Sequence, residues 1–439
     1  MRPSEQLQSW GRNPRTVQSA CPLFWSTERL PQTPGRTVLP FGLGRSYGDS
    51  CLNDENVLLL TRSLGHILEF DVENGLLRCE AGVSLDEILR LIVPHRWFLP
   101  TTPGTKFVTV GGAIANDVHG KNHHRAGTFG CQVTQFELLR SNGERWLCSP
   151  SHNREWFEAT IGGLGLTGLI TWAELKLRRI ASSQLEMESV KFHDLDEFFA
   201  ISADSDRRFE YTVAWLDCLA GGNSLGRGIF LRGNHAGPEV NILAPHCPPH
   251  IAVPLDFPEV ALNHFSIRAF NTWYYSRQGR KTVAHTVPYD RFFYPLDAIN
   301  HWNRIYGRRG FFQYQFVVPM TPDQQSIRRI LTRIIASGLG SFLAVLKTFG
   351  AVQSPGLLSF PRPGVTLALD FPNHGTGTLA LLAALDRIVL AAGGRVYPAK
   401  DARMSPQMFQ ESYPEWRQFR QWIDPQFSSS FWRRVTTAI

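Results

Sequence analysis

The stretch from Phe107 to Gly130, FVTVGGAIANDVHGKNHHRAGTFG, constrains this chain most: it gathers five glycines, three histidines and a lysine. A Gly-Gly pair behind β-branched residues means that the backbone must approach something closely, or turn where a side chain has no room. Asn116, Asp117, His119, Lys121, Asn122, His123 and His124 follow at once. So dense a run of donors and ionisable groups makes a poor core and a poor linker. It predicts a strand running into a loop that lies against a polar ligand. Asp117 is the one carboxylate close to the three histidines, and the spacing matches no usual ligand set, so no metal is expected.

A second glycine loop, PFGLGRSYGD at Pro40–Asp49, supports the first. Gly42, Gly44 and Gly48 free backbone N–H groups to point inward, an arrangement that binds phosphate oxygens, and Arg45 adds a fixed positive charge. An ordinary glycine-rich turn is the competing reading. The loop is neither a Walker loop, since no G-K-[ST] follows, nor a Rossmann fingerprint.

A chain of 439 residues has room for two domains with substantial cores, and 43% hydrophobic with 19% charged residues is an ordinary globular composition. The net charge of +7 is spread along the chain. That suits anionic substrates or anionic membrane surfaces. Nucleic-acid binding needs a clustered basic face, and none is visible. Seven scattered cysteines without a C-x-x-C pair argue against a disulfide scaffold or a zinc site and for a reducing compartment. The N-terminus lacks an apolar h-region, so no signal peptide is expected. The apolar run Leu379–Ala392 is broken by Asp386 and Arg387 and is too short to span a bilayer. The expectation is a cytoplasmic protein whose membrane contact is peripheral, at the inner face.

Several elements follow from local pattern. Ser84-Leu85-Asp86-Glu87 is a capping box opening an amphipathic helix through Val93. Val133–Arg140 and Glu144–Cys148 flank Ser141-Asn142-Gly143 as a hairpin, and Gly168–Leu177 reads as a strand. Further on, Val213–Leu216 reads as a buried strand, and Pro245–Pro258 as a proline-rich surface loop. Thr321-Pro322-Asp323-Gln324 predicts an N-cap with proline at the first helical position, ahead of an apolar face of Ile327, Ile330, Leu331, Ile334 and Ile335. Phe342–Lys347 and Thr366–Phe371 read as strands. This order suggests an antiparallel sheet backed by helices. Gln313 and Gln315 alternate on an aromatic strand, so both face one side, which suits recognition of sugar hydroxyls.

Four segments come in the order found in vanillyl-alcohol-oxidase-type FAD flavoproteins. They are GLGRSYGD, EAGVSLDEIL at Glu80–Leu89, TTPGTKFVTVGGAIANDVHGKNHH at Thr101–His124 and IGGLGLTGLI at Ile161–Ile170. The wording of GRSYGD, HGKNHH, FQYQFVVP (Phe312–Pro319) and YPAKDAR (Tyr397–Arg403) resembles the decaprenylphosphoryl-ribose 2-oxidase family, and these motifs span nearly the whole chain. The resemblance implies an α+β, two-domain flavoprotein. Its FAD-binding domain is split between residues 1–181 and 395–439, and a substrate domain, residues 182–394, is inserted on an antiparallel sheet. It implies oxidation of the C2 hydroxyl of a polyprenyl-phosphoryl-β-D-ribose to the 2-keto sugar, the first half of an epimerisation toward an arabinose donor for cell-wall arabinan. An NAD(P)H-dependent short-chain reductase is the expected partner for the second half. A soluble sugar, alditol or aldonolactone oxidase of the same fold is the alternative, and a non-catalytic flavin- or nucleotide-binding protein a further one.

The resemblance also assigns residues. Lys400 is placed at flavin and substrate, to stabilise negative charge or to act as a base after desolvation. Spacing alone favours a solvated lysine paired with Asp401. Tyr47 is expected to hydrogen-bond flavin or substrate, against a tyrosine that only satisfies its own hydroxyl. His119 is expected close to the flavin ring, against a structural histidine. Ser46, Thr105, Gly111 and Gly112 are expected to contact FAD, as are Asn116, Gly120, Asn122 and His123. Gly163, Gly168 and Ile170 complete that set. Lys347 and Trp215 join Gln313 and Gln315 as substrate contacts, with a solvated strand-end lysine and a core tryptophan as the competing readings. Arg45-Ser46 stand where related flavoproteins carry a histidine that tethers FAD, so non-covalent FAD is expected. Ala368 stands where the best-known members of the family carry a cysteine trapped by nitro-aromatic inhibitors, and Phe293 where the pattern has a tyrosine.

Overall fold

The computed structural model describes residues 7–244 and 251–437. Its largest element is an eight-stranded antiparallel sheet. From edge to edge the strands are Thr282–Pro288, Gln184–Phe192, Gly228–His235, Tyr211–Leu216, Ala344–Phe349, Gly364–Pro372, Phe311–Val318 and Arg395–Val396. Beside it lie a five-stranded antiparallel sheet, ordered Ile67–Asp71, Leu76–Glu80, Leu169–Lys176, Val133–Leu139 and Arg145–Cys148, and a three-stranded parallel sheet of Ser19–Pro22, Val57–Leu60 and Val38–Phe41.

The register of the large sheet decides what each face is made of. Directly opposed residues share a face. Tyr314 opposes Leu369, Phe316 opposes Leu367, and Leu346 lies across from both Leu367 and Ala214. That face is apolar. The helices Leu195–Arg208, Gln325–Ser337 and Thr376–Ala391 bury it with Phe198, Ile330, Ile334, Leu382 and Leu385. Gln313 opposes Asp370, Gln315 opposes Ala368, and Lys347 opposes Thr366, so the other face is polar.

The predicted capping box is present: Ser84 Oγ accepts from Glu87 N at 3.2 Å, and Glu87 Oε2 from Ser84 N at 2.8 Å. The helix it opens, Leu85–Ile92, lays Leu85, Ile88, Leu89 and Ile92 on Leu77, Cys79, Ala173 and Leu175 of the five-stranded sheet. The C-terminal residues return to the N-terminal strands. Phe427 bridges to Val38 in parallel, and Arg434 holds both Asp49 and Asp401. Among the described residues, no helix is long and apolar enough to cross a membrane.

Three local expectations are corrected. The Gly111-Gly112 pair does not end a strand but lies in the first turn of a short helix, Val110–Ala115, whose N-cap Thr109 accepts from Gly112 N at 3.2 Å. A threonine cap competes well with extension when the residues after it bring no side chains to clash. Thr321 is not an N-cap. It donates to Asp323 Oδ1 at 2.9 Å, that carboxylate accepts from Gln325 N, and the helix begins at Gln325 behind Gln324 in the left-handed region. The aspartate closes a local turn and so delays the helix. In the proline-rich segment, residues 245–250 lie outside the described set, and Ile251–Ala252 pair in parallel with Ile299–Asn300 rather than forming loop.

Candidate active site

Three segments converge over the polar face. The loop after Val38–Phe41 supplies Tyr47, the turn after Val110–Ala115 supplies His119, and the turn Pro398–Lys400 supplies Lys400. Tyr47 N donates to Ala399 O at 2.9 Å, which ties the first of these to the last. A Cβ at Gly48 would collide with the Asp401 carbonyl, so this close approach needs glycine there.

Lys400 is half-buried, and its ammonium lies 5.4 Å from the centre of the Tyr47 ring. Asp401 is not its partner. That carboxylate is taken by Arg434 at 2.9 Å and by the backbone N–H groups of Arg403 and Met404. Desolvation lowers the Lys400 amine to about 8, with Asp370 opposing the shift. Burial pushes the Asp370 carboxyl up to about 7, against hydrogen bonds from Gln313 and Tyr306 and the charge of Lys400. Gln313 donates to Asp370 Oδ1 at 2.5 Å. The Tyr47 phenol is raised well above its ordinary value, first by burial and then by Asp370.

His119 is buried between the sheet and the loops. Lys347 Nζ stands 3.2 Å from its Nδ1 and Gln315 Nε2 3.0 Å from its Nε2. A neutral imidazole offers one donor and one acceptor. All contacts close together when Lys347 is neutral: it donates to Gly120 O at 3.1 Å and accepts Nδ1–H, while Nε2 accepts from Gln315. The electrostatics agree. Burial, then Lys347 and Lys400, depress His119 well below its usual value, and burial, then Lys400 and Lys121, depress Lys347 likewise. Both nitrogens of His119 are therefore engaged.

The remaining expected residues fall into two groups. Gly42, Gly44, Arg45, Ser46, Gly111, Gly112 and Asn116 are half-buried along one rim, where a Cβ at Gly42 would collide with the Thr109 side chain. Thr105, also half-buried, lies at the end of this rim and bonds the Asp297 carboxylate. The Arg45 guanidinium stacks 4.0 Å over Trp10, and its Nε is buried without a partner. An unsatisfied guanidinium donor on a glycine-rich loop fits a diphosphate-bearing cofactor such as FAD. The second group is buried. Asn122 donates to Pro100 O at 2.8 Å, Gly120 and Gly163 are buried, Gly168 precedes the strand Leu169–Lys176, and Ile170 pairs with Leu138 in the sheet core. His123 is buried against Phe349, with ring centres 4.6 Å apart. Neither ring nitrogen has a partner, and desolvation lowers it to about 4. Trp215 shares the polar face but lies beyond Val345. Its Nε1 donates to Phe342 O at 3.0 Å.

Sequence reasoning missed Asp370 as a site residue. The signal was a lone carboxylate ending the apolar run Val365–Leu369, whose orientation toward Gln313 only the strand pairing supplies. Phe293 is buried and packs edge-on to Tyr211 at 4.7 Å, in a cluster of rings under Lys121. Ala368 stands directly opposite Gln315.

Residues 28–149 match the FAD binding domain family. Decaprenylphosphoryl-β-D-ribose oxidase of Mycolicibacterium smegmatis is 37% identical, over 98% of this chain and 97% of its own length. An uncharacterised protein from the region 5′ of mprA in Streptomyces coelicolor is 35% identical over 80% of this chain and 100% of its own. Delta(24)-sterol reductase of Rattus norvegicus is 31% identical over 26% of this chain and 22% of its own. With the FAD signature on the loops that carry Tyr47 and His119, and similarity along almost the whole chain, the protein belongs to the decaprenylphosphoryl-β-D-ribose oxidase family and is an FAD-dependent oxidoreductase acting on a hydroxyl group.

Proposed function

We propose that the protein oxidises the C2 hydroxyl of a polyprenyl-phosphoryl-β-D-ribose to the 2-keto sugar, the first half of an epimerisation to an arabinose donor. The observation that carries this reading is the polar row Gln313, Asp370, Gln315 and Lys347 on the central strands, opposite their apolar, helix-covered face and beneath Lys400. Two amides and a lysine at strand spacing suit the hydroxyls of a sugar and the oxygens of its phosphate. FAD, when bound, accepts the hydride leaving carbon.

The chain's own residues do the rest. Gln313 and Gln315 orient the sugar, and His119, with both nitrogens engaged, holds Gln315 in place. Lys400, with its amine lowered to about 8, takes the hydroxyl proton on Nζ and is left as a cation facing Asp370. Tyr47 bounds the site opposite Lys400. Gly42–Gly48, Gly111, Gly112 and Asn116 would hold the cofactor non-covalently, since Arg45-Ser46 offer no histidine for a tether. Residues 1–181 and 395–439 would form the cofactor domain around residues 182–394. The pairing of Phe427 with Val38 and the grip of Arg434 on Asp49 and Asp401 support that division. A keto sugar must then be reduced from the opposite side, which calls for an NAD(P)H-dependent short-chain reductase as partner.

The test is anaerobic bleaching of the FAD-loaded protein. Polyprenyl-phosphoryl ribose should bleach the flavin, and acid precipitation should release it. Bleaching by free sugars, alditols or aldonolactones alone would replace this reading with a soluble oxidase.

A further inference from the structure

Large exposed apolar side chains are not scattered evenly. Among the described residues, seven of the seventeen, Ile251, Leu255, Phe257, Val260, Phe265, Phe270 and Trp273, fall within 23 consecutive residues. They belong to the helix His264–Ser276 and the segment before it. The helix is anchored by Ile267 and Asn271, which are buried. Phe265, Ala269 and Trp273 recur at i, i+4 and i+8 on the opposite side, with Phe265 81% and Trp273 59% exposed. An apolar ridge turned away from the core is the wrong face for folding and the right one for docking.

Charge and continuity identify the occupant. The helix carries Arg268 and no acidic residue, and Arg277, Arg280 and Lys281 follow it. The Arg277 guanidinium stacks 4.3 Å over Tyr274, an arrangement that keeps the cation at a wet boundary beside an apolar ring. The ridge also connects to the site. Trp215, on the polar face of the sheet, meets Tyr274 at 4.6 Å between ring centres, Tyr274 meets Phe270 at 5.9 Å, and Phe270 meets Trp273 at 5.8 Å. An aromatic track thus runs from Trp215, which Val345 separates from the polar row, to the exposed ridge.

We propose that the helix His264–Ser276 docks on an anionic bilayer surface, with Phe265 and Trp273 in the acyl boundary and Arg268 and Arg277 among the headgroups. The Trp215–Tyr274–Phe270 track is the path along which an apolar tail reaches from the bilayer to the site. The track rests on the lipid-linked substrate proposed above; the docking surface is measured without any substrate, so the two fail separately.

Flotation of the FAD-loaded enzyme with vesicles tests it. Vesicles of equal parts phosphatidylglycerol and phosphatidylcholine should carry the enzyme, and pure phosphatidylcholine should carry much less. Phe265→Ser with Trp273→Ser should weaken binding about tenfold or more, as should Arg268→Glu with Arg277→Glu, the latter only at low salt. Turnover of a short-chain, water-soluble substrate should be unchanged in the first variant, and its melting temperature should hold, because both side chains are exposed. Equal binding to neutral vesicles would overturn the proposal. So would undiminished binding by the aromatic variant, or self-association of the enzyme that this variant abolishes.

Discussion

The two faces of the eight-stranded sheet are built from the same strands, one residue out of phase, and they obey opposite rules. On one face Tyr314, Phe316, Leu346, Leu367 and Leu369 are packed under three helices, and the polar atom among them is satisfied: the Tyr314 hydroxyl donates to Asp386 at 2.9 Å. On the other, Gln313, Gln315, Lys347 and Asp370 lie beneath the loops that carry His119 and Lys400, and Gln313 Oε1 and Gln315 Oε1 are left without partners. The first face holds the fold together. The second accepts depressed lysines, a raised carboxyl and orphaned amides, a stability cost characteristic of sites that must bind something.

Breaking that contrast should separate activity from stability. The largest effect expected is on turnover. Lys400→Ala should lower it on the order of a thousandfold, with folding retained by circular dichroism. Lys400→Arg, which never deprotonates, should not rescue it. In the wild type kcat should rise with pH through about 8, because a lysine lowered from 10.5 to about 8 supplies its neutral amine above the lower value. A fall through the same window would mean that the cation, not the amine, is the working form.

Across the same sheet, Leu367→Ala should cost about 2–5 kcal/mol in chemical denaturation and leave kcat of the folded fraction near wild type. Gln315→Ala should lower kcat/KM about tenfold and cost about 1–3 kcal/mol of stability, since it leaves the buried His119 Nε2 without its donor. Lys347→Met should weaken substrate binding and lower stability by about 1–3 kcal/mol, because the Gly120 carbonyl and His119 Nδ1 lose their partner. The smallest effect on oxidation is expected from Ala368→Cys, a cross-strand neighbour of Gln315 that supplies a thiol. That variant should gain covalent, mass-detectable labelling by nitro-aromatic inhibitors that the parent chain lacks.

Most local elements were legible. The Ser84–Glu87 capping box, the hairpin at Asn142-Gly143 and the strands around Gln313 and Thr366 rest on short-range chemistry, and short-range chemistry is what a sequence displays. The Gly111-Gly112 segment was misread because glycine is equally at home in a close-packed strand and at a helix start. The choice fell to Thr109, whose hydroxyl captured the Gly112 N–H. Thr321 was misread for the complementary reason: its hydroxyl was captured by Asp323 before it could cap anything.

By itself the amino-acid order determined the strand phase of Gln313 and Gln315, the glycine-rich loops and the family to which they point, because each is written within ten residues or so. Only the tertiary structure decided which charges meet. Asp401, next to Lys400 in the chain, is bound to Arg434, while Lys400 is left facing Asp370, thirty residues earlier. Antiparallel pairing sets Asp370 against Gln313 and Lys347 against Thr366, and burial beneath the overlying loops strips water from them. Register and desolvation are properties of the assembled sheet, and they turn an ordinary lysine into one poised to exchange a proton near pH 8.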